Sequence, residues 1–375
     1  MERASSFLRS HRASGERRAW RRCAVRVLTG SALLIGATML PALVAHADAA
    51  ASSASVDDPR ALIARLEAHK AALERANAAV VGIEVSALAD ARSIATLGRA
   101  RQGSGILIGD DGLVLTIGYL ILEADHVDLV AANGRRVPAR VVAYDLASGF
   151  GLVQALAPLG LAPAPLGASG KVVGDEPLIV ASGGGERDLS VAHMVSRRPF
   201  SGYWEYHIDD AIFTAPARTD HSGAGLFNDE GELVGVGSLL VGNVSGTGTP
   251  ATRGNMFVPV DLLKPILGEL KTRGTSHSSV RPWLGLNCVE MAGVVHVVRL
   301  APDSPAEAAG LQPGDVIVAV DGTPVTDLAG FYRALWRGEP PEREVVLDIR
   351  RGDDTLRTTV HAIDRMSTLS RPRGV

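Results

Sequence analysis

From Gly103 onward the sequence keeps a single rhythm of short apolar runs, too short for helices, separated by turn signals. Residues 105–108 give way to Asp110, Asp111 and Gly112; 113–116 form the next run; 127–131 lead to Asn133 and Gly134; and 137–144 follow. Runs of this length broken by Asp-Gly and Asn-Gly pairs read as antiparallel hairpins, because such pairs accept the positive φ that a tight connection needs. A second set repeats the pattern near 177–181, 190–196, 206–208, 226–228, 233–240 and 256–259. Two consecutive antiparallel β-barrels account for this region, and the chain is read as mainly β.

The head of the chain differs. Its first 26 residues hold eight arginines against Glu2 and Glu16, a net of +6, so the remainder carries −9 when the whole is −3. Residues 27–44 are free of charge, and Ala45, His46 and Ala47 end the run in an A-x-A arrangement. Residues 1–47 therefore read as an export signal cut after Ala47. Left uncut, the same run would be a membrane anchor near the spanning minimum of about 18 residues, with Gly30, Gly36 and Pro41 weakening it. The acidic remainder offers no basic stripe to neutralise phosphates, which argues against a nucleic-acid partner. Cys23 falls in the leader and leaves Cys288 alone, so no internal disulfide is expected, and Cys288 reads as a small buried residue beside a strand. No metal cluster or cofactor motif stands out.

Between leader and barrels, Asp57 or Asp58 can cap a helix with Pro59 in its first turn and Leu62, Leu66 and Leu73 on one face, ending near Asn77. Residues 80–85 read as a strand and the polar stretch to Arg101 as a loop. The chemistry concentrates further on, at Asp220, His221, Ser222, Gly223, Ala224 and Gly225. A serine beside glycine on a tight turn suits a nucleophile, since a substrate carbonyl can approach the backbone there and amide N–H groups can stabilise an oxyanion. By itself such a turn is also an ordinary hairpin connection.

The flanking motifs decide between these readings. Gly103-Ser104-Gly105-Ile106-Leu107-Ile108 and Gly112-Leu113-Val114-Leu115-Thr116 resemble the entry to the trypsin-like domain of the high-temperature-requirement A (HtrA) family of exported proteases. Asn133-Gly134-Arg135, Val173-Gly174-Asp175, Ser222-Gly223, Gly231-Glu232-Leu233-Val234-Gly235 and Phe257-Val258-Pro259-Val260-Asp261 follow in the family's order. The resemblance covers residues 76–363 and implies a trypsin-like double β-barrel followed by a PDZ α/β domain. It divides the chain into a leader (1–47), a linker and helix (48–75), the protease domain (76–271), a polar linker (272–279), the PDZ domain (280–363) and a tail (364–375).

The departures carry the functional argument. Where the family places its histidine base the chain has Tyr119, and where it places the aspartate that orients the imidazole the chain has Gly149. Asp220 replaces the glycine whose N–H helps form the oxyanion hole, and Ser222 alone keeps its place. A serine hydroxyl is a weak nucleophile without a base to take its proton, and loss of triad members leaves about 10³ to 10⁴ over water from binding and oxyanion contacts. A phenol with a pKa of about 10 is a poor substitute. His221 is adjacent to Ser222, but neighbouring side chains on an extended turn diverge. His126, His193 and His207 lie on or beside expected strands, and Asp209 and Asp210 could support His207 without standing near Ser222.

In the last region, residues 304–315, from Ser304-Pro305-Ala306 to Pro313-Gly314-Asp315, carry the most specific match to the family's PDZ domain. The resemblance makes Trp283, Leu284, Gly285 and Leu286 the loop that holds a peptide's C-terminal carboxylate. The helix bearing Phe331 and Leu335 would be the groove's other wall, although both residues could instead fill a small core, Leu335 as readily as it would line the groove. The aromatic stretch 200–208 reads either as a partner surface or as a strand alternating Trp204 and Tyr206 between core and rim. Two functions follow. One is an exported, proteolytically impaired homologue that binds C-terminal peptides or unfolded proteins; the other is an active periplasmic serine endopeptidase with a rearranged base. A membrane-tethered sensor is a third, if the leader stays uncut. Homo-oligomers are an open expectation of the resemblance.

Overall fold

The leader and its signal or anchor reading lie outside the residues that the computed structural model describes, which are 59–174, 176–183, 189–246 and 249–370. These residues belong to one unit, 57–375. The first helix, Pro59–Ala78, begins on a proline whose missing N–H a first turn does not need, and runs into β1 (Val80–Ala87). β1 then joins β2 (Ala100–Leu107), β3 (Leu113–Ile117), β4 (Ala124–Val130), β5 (Arg136–Tyr144) and β6 (Phe150–Ala155) in a closed barrel of order β1-β2-β3-β6-β5-β4. A second closed barrel, β10-β11-β12-β9-β8-β7, is built from β7 (Pro177–Ala181), β8 (Leu189–Gly202), β9 (Tyr206–Ala215), β10 (Gly225–Phe227), β11 (Leu233–Val241) and β12 (Gly254–Pro259). Residues of both barrels, among them Ile83, Leu115, Phe213 and Met256, share one buried apolar cluster.

The third sheet has the order β13-β19-β18-β16-β15-β14, with β17 beside β16. Its strands are β13 (Pro282–Trp283), β14 (Leu286–Met291), β15 (Val294–Leu300), β16 (Val316–Val320), β17 (Thr323–Pro324), β18 (Arg343–Arg351) and β19 (Asp354–Asp364). The helices Pro305–Ala308 and Leu328–Trp336 start at side-chain caps, Ser304 and Asp327 accepting hydrogen bonds from the N–H groups of Glu307 and Gly330. Cys288 lies in β14, fully buried, and burial pushes its thiol pKa up. β14 ends the strand order, which leaves one edge of the sheet free for another segment.

Three sequence expectations are corrected. The polar stretch before Arg101 is not a loop throughout: it holds a short helix, Ile94–Leu97, and β2 begins at Ala100. Arg101 is 5% exposed, and its guanidinium donates to the Gly98, Tyr119 and Leu122 carbonyls and to Ser93 Oγ, which fixes the segment. Asp261 ahead of Leu262, Leu263 and Ile266 reads as the cap of a helix closing the second barrel, yet it does not start one, for Pro265 cannot donate and disfavours helical geometry before it; a 3-10 turn spans Val260–Leu262 and the helix is Leu267–Arg273. The polar stretch 272–279 is no free tether either. Ser276 and Ser279 are buried, and both hydroxyls, with the N–H and hydroxyl of Ser148, donate to the buried Asp145 carboxylate.

Candidate functional site

Ser222 stands in the connection between β9 and β10 of the second barrel, and Tyr119 comes from the one-turn helix Gly118–Ile121 after β3 of the first. The strand-to-turn bend at Ser222 needs glycine behind it. Gly223 has φ +75°, and a Cβ there would lie 2.0 Å from the Ser104 carbonyl oxygen. The Ser104 N–H in turn donates to the Ser222 carbonyl at 2.9 Å, so the first barrel fixes the turn's backbone. On the other side, the Tyr119 carbonyl accepts from Arg101, which holds the short helix in place.

The two side chains meet. Tyr119 Oη is 2.7 Å from Ser222 Oγ and 2.8 Å from the Ser238 carbonyl oxygen on β11. A carbonyl only accepts, so when the phenol gives its single proton to Ser238 the serine supplies the proton of the other bond. Neither arrangement gives Ser222 a base. Burial pushes the Tyr119 pKa up to about 12, with the Ser222 hydrogen bond opposing more weakly. The phenol is then ionised in about one molecule in 10⁵ at pH 7.

Gly149 stands in the turn before β6 with φ +83°, and a Cβ there would lie 3.0 Å from Tyr206 Oη. An aspartate would be strained there and would press on Tyr206, whose hydroxyl donates to the Ser148 carbonyl at 2.6 Å. His221 turns its Nδ1 to the Arg218 carbonyl at 3.1 Å, and burial lowers its pKa. His126 and His193 lie on β4 and β8. His207 forms a chain with Ser201 Oγ at 2.8 Å and Asp209 Oδ1 at 3.1 Å, but Asp209 also takes Arg333 of the helix Leu328–Trp336 at 2.7 Å, so the chain braces the β8–β9 hairpin against that helix. Among the described residues, Tyr119 is the hydrogen-bond partner of the Ser222 hydroxyl.

Asp220 alters the oxyanion position. Its carboxylate takes the Ser182 hydroxyl and Arg218 Nη2. Burial opposes ionisation, yet these two bonds, the Arg218 charge and the residue's own N–H outweigh it and hold the carboxyl below its ordinary pKa. A carboxylate lining the Ser222 cleft opposes a second negative charge there, a repulsion that its pairing with Arg218 offsets only in part. The cleft itself, of about 200 Å³, is lined by Gln102, Gly103, Ser104, Asp220 and Ser222 among others.

The loop 283–286 forms a second site. The N–H groups of Leu284, Gly285 and Leu286 converge on one carboxylate, that of Glu205 from the β8–β9 hairpin, at 3.4, 2.8 and 2.9 Å. Gly285 permits this with φ +81°, and a Cβ there would lie 2.2 Å from Ser304 Cβ. Phe331 and Leu335 are fully buried in the third sheet's core. The helix meets the hairpin instead through Tyr332, whose hydroxyl donates to the Gly202 carbonyl at 2.7 Å and accepts from the Glu205 N–H at 3.2 Å. Arg101, Tyr332 and Glu205 were not legible as site residues; Glu205 had the single signal of sitting inside the aromatic stretch.

The comparisons agree with this architecture. A family model described as a trypsin-like peptidase domain matches residues 103–236, and a PDZ domain model matches 282–361. HhoA of Synechocystis sp., a serine protease by name, is 29% identical over 70% of this chain and 70% of its own length. A "Probable periplasmic serine endoprotease DegP-like" of Hahella chejuensis is 27% identical over 67% of this chain and 55% of its own, so the chain spans little more than half of that relative. The serine endoprotease DegS of Haemophilus influenzae is 24% identical over 67% and 74%. Among solved structures, the HtrA-type protease AlgW with a tripeptide shares the fold at a TM-score of 0.50 and 18% identity, covering 81% of this chain and 98% of its own. The chain thus matches a trypsin-like peptidase domain followed by a PDZ domain, and the relatives it is similar to over most of its length carry serine-protease and DegP-like names.

Proposed function

We propose that this chain is an exported HtrA-like homologue that binds C-terminal peptides or unfolded proteins through its PDZ domain and whose peptidase site does not turn over. The observation that carries the reading is the 2.7 Å contact between Ser222 Oγ and Tyr119 Oη, with the phenol's pKa near 12. An alcohol needs an acceptor of suitable basicity before it attacks a carbonyl. The positive φ of Gly149 and the carboxylate of Asp220 weigh the same way. For binding, support comes from three N–H groups that already hold a carboxylate and from a PDZ match over 282–361. Relatives named as periplasmic proteases favour the envelope as the place of work, with residues 1–47 as export signal, 76–271 as protease domain and 280–363 as PDZ domain.

The test uses purified full chain. Incubation with casein should leave the substrate intact, and a fluorophosphonate probe should fail to label Ser222. Casein degradation that disappears in Ser222→Ala would overturn the proposal in favour of an active endopeptidase with a rearranged base.

A further inference from the structure

The carboxylate in the PDZ loop belongs to the chain itself, and the way it is held copies the recognition of a free C-terminus. Three successive N–H groups take Glu205, whose side chain is the buried end of the hairpin tip, with Glu205 2% exposed. Two residues earlier, the Tyr203 carbonyl accepts from the Cys288 N–H at 3.0 Å, which is one rung of strand addition on the open edge of β14. The Trp204 carbonyl accepts from Arg365 Nη1 at 3.0 Å, and Tyr332 ties Gly202 and Glu205 to the helix.

The hairpin is shaped for this contact. Glu205 has φ +57°, a conformation that side chains rarely adopt and that persists when the surroundings demand it. Trp204 stacks on Tyr206 with centroids 5.8 Å apart and an interplanar angle of 12°, stiffening the tip. Beside the tip a cleft of about 620 Å³ remains between the hairpin, β14 and the start of the helix, with Glu290, Asp327 and Leu328 at its rim. An incoming chain therefore has room to reach the groove, though its terminal subsite is full.

We infer that residues 203–205 are an internal ligand of the PDZ groove, so that a peptide with a free C-terminal carboxylate binds only by displacing the Glu205 side chain from the loop. The inference rests on the groove being a peptide site, as proposed above. Its consequence is that peptide binding and hairpin release are one equilibrium: affinity is lowered by the fraction of molecules in which the tip is undocked.

The test measures fluorescence anisotropy of an N-terminally labelled decapeptide library, randomised at its last four positions, against the full chain, Glu205→Gly and Glu205→Gln. The same library with amidated termini is the control. Glycine tolerates the positive φ and glutamine keeps the shape while removing the charge, so at least one variant should fold, as circular dichroism will show. The free-acid library should bind Glu205→Gly at least tenfold tighter than the unaltered chain, should bind Glu205→Gln, whose neutral amide oxygen still accepts from the loop, no tighter than the unaltered chain, and the amidated library should bind none of them. Equal binding of the free-acid library to all three proteins would overturn the internal-ligand inference and leave the peptide reading standing. Absence of binding to every protein would overturn both. Hydrogen exchange supplies a second readout without peptide. The amides of Leu284, Gly285 and Leu286 should be protected in the unaltered chain and lose protection in Glu205→Gly; unchanged protection would count against the inference.

Discussion

Tyr119→Phe separates a structural tyrosine from a catalytic one. The change removes one hydroxyl and nothing else, and that hydroxyl joins Ser222 Oγ at 2.7 Å to the Ser238 carbonyl at 2.8 Å. Ser238 is only 6% exposed, so water replaces the lost partner poorly. Leaving a buried acceptor unsatisfied costs about 1–3 kcal/mol. For domains of about 150–250 residues each kcal/mol lowers the unfolding midpoint by about 2–4 °C, which gives a drop of about 2–12 °C for the barrels that hold Tyr119. The assay is a thermal melt followed by circular dichroism, run beside hydrolysis of an activated ester. If Tyr119 is a strut that occupies the base's position, Tyr119→Phe lowers the midpoint and leaves the background hydrolysis unchanged. An unchanged midpoint together with loss of a Ser222-dependent rate would refute the reasoning, because it would make the phenol the missing base.

Restoring the base should fail for a reason visible in the backbone. Tyr119→His alone is expected to leave casein uncut, and adding Gly149→Asp should reduce expression or stability, since φ there is +83° and Tyr206 Oη stands 3.0 Å from the added Cβ; casein cleavage by Tyr119→His alone would contradict this. Asp145→Ala should cost about 3 kcal/mol or more, because it strips the acceptor from Ser148, Ser276 and Ser279, and limited proteolysis should then cut within 272–279; resistance equal to the unaltered chain would count against the brace. Hairpin docking should depend on pH. Burial pushes the Glu205 pKa up to about 7, against the opposing pull of Arg365 and the three loop N–H groups. Arg281, Tyr332 and Cys288 also face it. A carboxyl with a pKa higher docked than free holds its proton better when docked, so docking is fully favoured below the ordinary value near 4.5 and weakens as pH rises through 7. Protection of the Leu284–Leu286 amides, corrected for intrinsic exchange, should fall between pH 5.5 and 8, and the fall should vanish in Glu205→Gln.

Much of this molecule was written locally. The alternation of short apolar runs with Asp-Gly and Asn-Gly turns announced the barrels, since strand period and turn chemistry are properties of neighbouring residues. The slots of Tyr119, Gly149 and Ser222 were readable because motif order is a linear property. The rest depends on residues that only folding brings together. Nothing beside Asp145 in the sequence says that Ser276 and Ser279, more than 130 positions away, will donate to it and make a brace of a polar stretch. Phe331 and Leu335 were legible as apolar, but the choice between groove wall and core was not, because the turn of the helix that faces the hairpin is set by packing. Glu205 looked like one charged residue among aromatics; its partners lie 79 to 81 residues further on, and only the docking of the hairpin on the third sheet made its carboxylate the group that three backbone amides need.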